Sequence, residues 1–112
     1  MVRRLFTFTA LLLLAVVGAA RLATAQDASR GEKVYADQRC AVCHSIAGKG
    51  NAKGALDDVG SRLTADEIRE WIVDAKAATA KAKAERKPAM RQYSLPKDDV
   101  DALVAYLTTL KK

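Results

Sequence analysis

Cys40-Ala41-Val42-Cys43-His44 is the stretch on which the reading of this chain turns. Two thiols stand with two residues between them, and the sequence's one histidine follows at once. Four chemical uses fit such a thiol pair. A thioredoxin-like redox couple needs a strand–helix–strand setting, which the flanking residues do not offer. A structural zinc takes four ligands, and here there are two Cys and one His. A plain disulfide is the third use. The fourth needs the histidine: C-x-x-C-H is the attachment pattern of a c-type haem. The thiols then add across the two vinyl groups at one edge of the ring, and His44 is held at the iron as an axial ligand.

Working outward to the N-terminus, Met1-Val2-Arg3-Arg4 is a basic start. Residues 5–20 are apolar apart from two Thr, a run of 16 that Arg21 closes. That is shorter than the roughly 18–20 residues that span a bilayer. Ala23-Thr24-Ala25 then has the small residues that a signal peptidase reads. The pattern predicts a signal peptide over 1–25, cleaved on export to a bacterial periplasm, and a domain over 26–112. Left uncleaved, the same segment would be a membrane anchor; cleaved, it leaves a domain without stable membrane insertion. Three of the 19 basic residues (Arg3, Arg4 and Arg21) lie in it, and all 13 acidic residues lie outside it. The remaining domain therefore carries +3 rather than the +6 of the whole chain, too little to suggest a nucleic-acid binder.

That domain is 87 residues with four aromatics, Tyr35, Trp71, Tyr93 and Tyr106. A domain so small often needs a disulfide, metal or other organising group to complete its core. A bound haem would supply that core. It would also need a second axial ligand. Met90, in Arg86-Lys87-Pro88-Ala89-Met90, is the only methionine beyond Met1 and sits in a Pro-containing stretch between two helical segments. An isolated Met is more often core filler, but no other soft ligand exists here, which makes Met90 the candidate.

Periodicity predicts an all-α class. Ser29 to Glu32 (S-x-x-E) reads as a capping box opening a first helix that ends near Gln38. Gly48, Gly50, Gly54 and Gly60 make 45–63 a loop region. Thr64 to Glu67 is a second capping box, with Leu63 and Ile68 at the positions of a hydrophobic staple. Ile68, Trp71, Ile72 and Ala75 continue that helix on one face. The Ala- and Lys-rich residues 76–87 fit either helix or solvated loop. Val100, Leu103, Val104 and Leu107 mark a last helix over about 97–110, with Asp98 and Asp99 at its start and Lys111-Lys112 at its end, matching its dipole. No strand is evident.

From Gly31 to Leu110 the chain resembles a class I (monohaem) cytochrome c. Gly31-Glu32-Lys33-Val34-Tyr35 is similar to the N-terminal helix of that family, and Leu103-Val104-Ala105-Tyr106-Leu107 to its C-terminal helix. Val59-Gly60-Ser61-Arg62-Leu63 and Glu70-Trp71-Ile72 resemble its haem-propionate segments, and Lys87-Pro88-Ala89-Met90 with Tyr93 its distal-ligand loop. The resemblance implies three to four helices around one covalently bound haem c. Cys40 and Cys43 would be the thioether residues, and His44 and Met90 the axial iron ligands. Trp71 and Arg62 would contact propionates, against ordinary core and surface roles for the two. The family often has Gly-Pro where this chain has Gly54-Ala55, so Ala55 is the expected carbonyl for the His44 ring N–H. Arg91 stands where the family often has Pro.

The function expected is a one-electron carrier, not an enzyme, serving other redox proteins. Lys76, Lys81, Lys83, Arg86, Lys87 and Arg91 against Glu85 alone give residues 76–91 a local +5, a docking surface for acidic partners or an ordinary solvated face. The alternatives are a haem c subunit of a larger oxidase or dehydrogenase, a sensor or peroxidase with an open sixth site, and a haemless thiol–disulfide protein.

Overall fold

The computed structural model describes residues 24–112. Most of the segment expected to be a signal peptide lies outside the described residues. The helix over 24–37 is α1. A 3-10 turn, Cys40–Val42, follows it. A two-stranded antiparallel hairpin comes next, β1 (Ser45–Ile46) with β2 (Lys49–Gly50), in the register Ser45 to Gly50. A second 3-10 turn spans Ala52–Gly54. The other helices are α2 (Val59–Arg62), α3 (Ala65–Val73), α4 (Ala75–Ala82) and α5 (Lys97–Thr108).

The all-α reading holds, with local corrections. Ser29 lies inside α1, not at its cap, because residues 24–28 are helical too. Ala25 and Gln26 are good helix formers, and Ser and Glu three apart share a helix face whether or not a cap is present. The capping box at Thr64 forms as expected: Glu67 N–H donates to Thr64 Oγ1 at 3.2 Å and Thr64 N–H to the Glu67 carboxylate at 2.7 Å. Residues 76–87 are neither a continuation of that helix nor all loop. Asp74 breaks the helix (φ −143°, ψ 61°), and its carboxylate accepts from Ala77 N–H at 3.2 Å, capping the new helix α4. Lys83, left-handed at φ 50°, ends α4. The hairpin was not legible because each strand is only two residues long. Its turn, Ala47-Gly48, has φ of 51° and 76°, the pair of positive values that suits strand twist. With the short α2 and α4 added, the described residues hold five helices, not three to four.

Helices α1 and α5 cross at Gly31. A Cβ there would run into the Ala102 carbonyl oxygen and stand 2.5 Å from Tyr106 Cβ, so only Gly permits this approach. The crossing is flanked by an edge-on Tyr35–Tyr106 pair, centroids 6.2 Å apart, and by an ion pair from Arg30 to Asp99 at 2.7 Å. The core collects the apolar stripes of α1, α2, α3 and α5: Val34, Val59, Ile68, Ile72, Val100, Leu103, Val104 and Leu107 are all buried. Each contributes about 1.5–3 kcal/mol relative to exposure. No helix among the described residues is long and apolar enough to cross a membrane.

Candidate cofactor site

The five-residue motif is held by its own backbone. The 3-10 turn at Cys40–Val42 brings Cys43 N–H to the Cys40 carbonyl at 3.1 Å and His44 N–H to the same carbonyl at 2.9 Å. Asn51 ties the following loop to it. Its backbone N–H donates to the carbonyls of His44 (2.9 Å) and Ala41 (3.2 Å), and its side chain donates to the Val42 carbonyl at 3.3 Å and accepts from Lys53 N–H at 3.0 Å. That last bond caps the turn Ala52–Gly54, which presents the Gly54 carbonyl to the His44 ring.

His44 Nδ1 lies 2.9 Å from Gly54 O. A carbonyl only accepts, so Nδ1 carries the proton and Nε2 keeps the lone pair a metal needs. This corrects the expectation of Ala55: the acceptor is one residue earlier, because the 3-10 turn ends at Gly54 and Ala55 has already turned away into a bridge with Ser45. Gly54 is required on steric grounds. A Cβ there would collide with Cys43 O and with Arg86 Nη1, and would stand 3.0 Å from His44 Nδ1. The His44 ring is held below the usual imidazole pKa, first by burial and also by the charge of Arg86, against the opposing pull of Gly54 O. The ring is therefore neutral near pH 7, as a ligand must be.

Cys40, Cys43, His44, Arg62, Trp71 and Met90 all line one cavity of about 400 Å³, within the ~300–1,000 Å³ of small-molecule and cofactor sites. Ala55 also lines it, as a wall residue. The walls are largely apolar, including Leu56, Val59, Ile68, Ile72, Leu103 and Leu107. Cys40 and Cys43 are not joined in a disulfide; burial pushes the Cys40 thiol up. Trp71 is half-buried. Arg62 is exposed and pairs with Asp58 at 3.0 Å, so its guanidinium is already shared. Met90 is half-buried, in the segment after α4.

Three residues that build or border the site were not singled out as site residues from the sequence. Asn51 looks like an ordinary polar loop residue until its four bonds are seen. Arg86 reads as one charge of a basic run. The Tyr35 hydroxyl is buried with no hydrogen-bond partner, and burial raises its pKa to about 12.

The donor set fits a covalently attached haem. Two thiols, an imidazole with its second nitrogen committed to a carbonyl, and a thioether open into one apolar chamber. Among the described residues no group of three or more His, Cys, Asp or Glu gathers to cage a bare metal ion. A family model described as Cytochrome c matches residues 28–111. No curated protein and no solved structure matches the chain.

Proposed function

The chain belongs to the cytochrome c family over residues 28–111, so its cofactor is covalently attached haem c with iron and its chemistry is electron transfer; on that premise we propose that it is a one-electron carrier with His44 and Met90 as the two axial ligands. The observation carrying this reading is that both thiols, the His44 ring and Met90 line the same cavity. Haem c, when bound, supplies an iron that gains and loses one electron.

The chain's own residues do the rest. Cys40 and Cys43 tether the ring, so the group cannot be lost outside the cytoplasm. Gly54 O holds the His44 tautomer and orientation, keeping Nε2 aimed for coordination. Met90 supplies a soft thioether that favours the lower iron charge and raises the potential. With His44 and Met90 both holding the iron, no position would be left open to oxygen or peroxide, which would suit a carrier rather than an enzyme. Ile68, Ile72, Leu103 and Leu107 keep water from the chamber. Trp71 is proposed to donate its indole N–H to a propionate, with Arg62 alongside. The N-terminal segment 1–25 is proposed to direct export to the periplasm.

The partners in this reading are other redox proteins, met through the basic segment 76–91. Lys81 is tied to Glu70, but Lys76, Lys83, Lys87 and Arg91 are exposed. Electron-transfer rates to an acidic partner should fall as ionic strength rises. The central test is an absorption spectrum of the oxidised and reduced protein. Low-spin haem c with a sulfur–iron charge-transfer band is expected, and Met90→Ala should lose the band while keeping the covalent haem. Rapid CO binding by the untreated ferrous protein would overturn the Met90 assignment and favour an open sixth site.

A further inference from the structure

Arg86 stands apart from the other cations of the basic segment. Its Nη1 lies against Gly54, at the point where a Cβ would also come within 3.0 Å of His44 Nδ1. It lines the same cavity as His44, Gly54 and Met90, whereas Lys83, three residues earlier, does not. The other cations have partners of their own: Lys81 with Glu70, Arg62, which lines the same cavity, with Asp58, and Arg91, which also borders His44 and Met90, over the Tyr93 ring at 4.8 Å. Among the described residues Arg86 has no hydrogen bond or ion pair. A guanidinium stays protonated at any pH the fold survives, so a fixed positive charge sits beside the hydrogen bond that orients the proximal ligand.

We propose that Arg86 sets the reduction potential of the carrier by placing a permanent cation at the His44 wall of the cofactor chamber. The inference rests on the haem-carrier reading above. Oxidised iron bears one more positive charge than reduced iron, so a nearby cation disfavours the oxidised state. The effect is strongest where apolar walls lower the effective dielectric. Arg86 acts through the field and the proximal ligand, as a tuning residue that exchanges no electron itself. Arg86 is exposed, as the lysines of the segment are, but it lines the chamber wall and they do not, so their charges are the more screened by water and salt.

The test compares midpoint potentials of the intact haem-loaded protein, its R86Q, R86K and K83Q variants, at one pH and ionic strength. R86Q should favour the oxidised state about tenfold at a given ambient potential, a fall of about 59 mV for one electron. R86K should stay within about twofold of the parent, and K83Q likewise. The proposal is overturned if R86Q keeps the parent midpoint, if K83Q shifts as far as R86Q, or if R86K shifts as far as R86Q. Loss of the six-coordinate spectrum in R86Q would also overturn it, by making Arg86 a packing residue. The parent spectrum separates the two claims. A parent without the sulfur–iron band removes Met90 ligation, whereas a parent with the band and an unmoved R86Q midpoint removes only the role of Arg86.

Discussion

The two sides of the chamber are built in opposite ways. On the His44 side, residues 40–56 form two 3-10 turns and a hairpin, cross-linked by backbone bonds and by Asn51. On the Met90 side, residues 85–92 make no backbone hydrogen bond among the described residues, and the strap is first pinned at Tyr93, whose N–H donates to Ile72 O at 2.8 Å. The difference teaches where precision is needed. On the ligation proposed above, the His44 side would carry two covalent tethers and a ligand, and would have to hold all three in register within five residues. The Met90 side would bring one ligand and could be a strap. Local stability follows the density of such bonds, so the strap is the part able to open first.

Changes to each side should separate the two. The largest effect is expected from Gly54→Val on the tight side. The added side chain meets Cys43 O, Arg86 and the His44 ring, and should cost about 2–3 kcal/mol in denaturant unfolding of the haem-loaded protein. A variant as stable as the parent, with an unchanged spectrum, would show that the turn has slack. A paired comparison comes next. Asn51→Ala removes a turn cap and a bond to Val42 O and should cost about 1–2 kcal/mol, whereas Gln92→Ala in the strap should stay within about 0.5 kcal/mol. Equal costs would erase the contrast.

The smallest effect is at the helix that anchors the strap. The Thr64 backbone N–H, and then its hydroxyl, hold the Glu67 carboxyl below its ordinary value. A lowered folded pKa means the ionised form contributes stability above the unfolded value of about 4.3, and that this is lost as pH falls through the folded value. Glu67→Gln should therefore be less stable than the parent at pH 7, with the gap closing as the pH falls through the lowered folded-state pKa of Glu67. A pH-independent gap in unfolding midpoints would refute the link.

Some of this was plain in the sequence for identifiable reasons. The Thr64 capping box and the stripe of Val100, Leu103, Val104 and Leu107 were legible because both are set by contacts three or four residues apart. The close crossing at Gly31 falls between the two segments that resemble the family's N-terminal and C-terminal helices. The break at Asp74 was missed because an Asp inside an Ala-rich run reads as a helix residue until its carboxylate is seen capping the next helix. The Ala55 expectation was off by one because a 3-10 turn advances faster than a simple loop count allows.

Before any fold is known, the order of residues already determines the cofactor chemistry, because two thiols and an imidazole within five positions leave the chain few other uses for them. The apolar periods likewise determine which helix faces are covered. Only the folded molecule decides that Gly54 holds the His44 ring, that Asn51 locks that side, and that Arg86 comes to rest beside it from 32 positions further along. Those partners meet through loop closure and packing, and no local spacing encodes which carbonyl or which cation will arrive there.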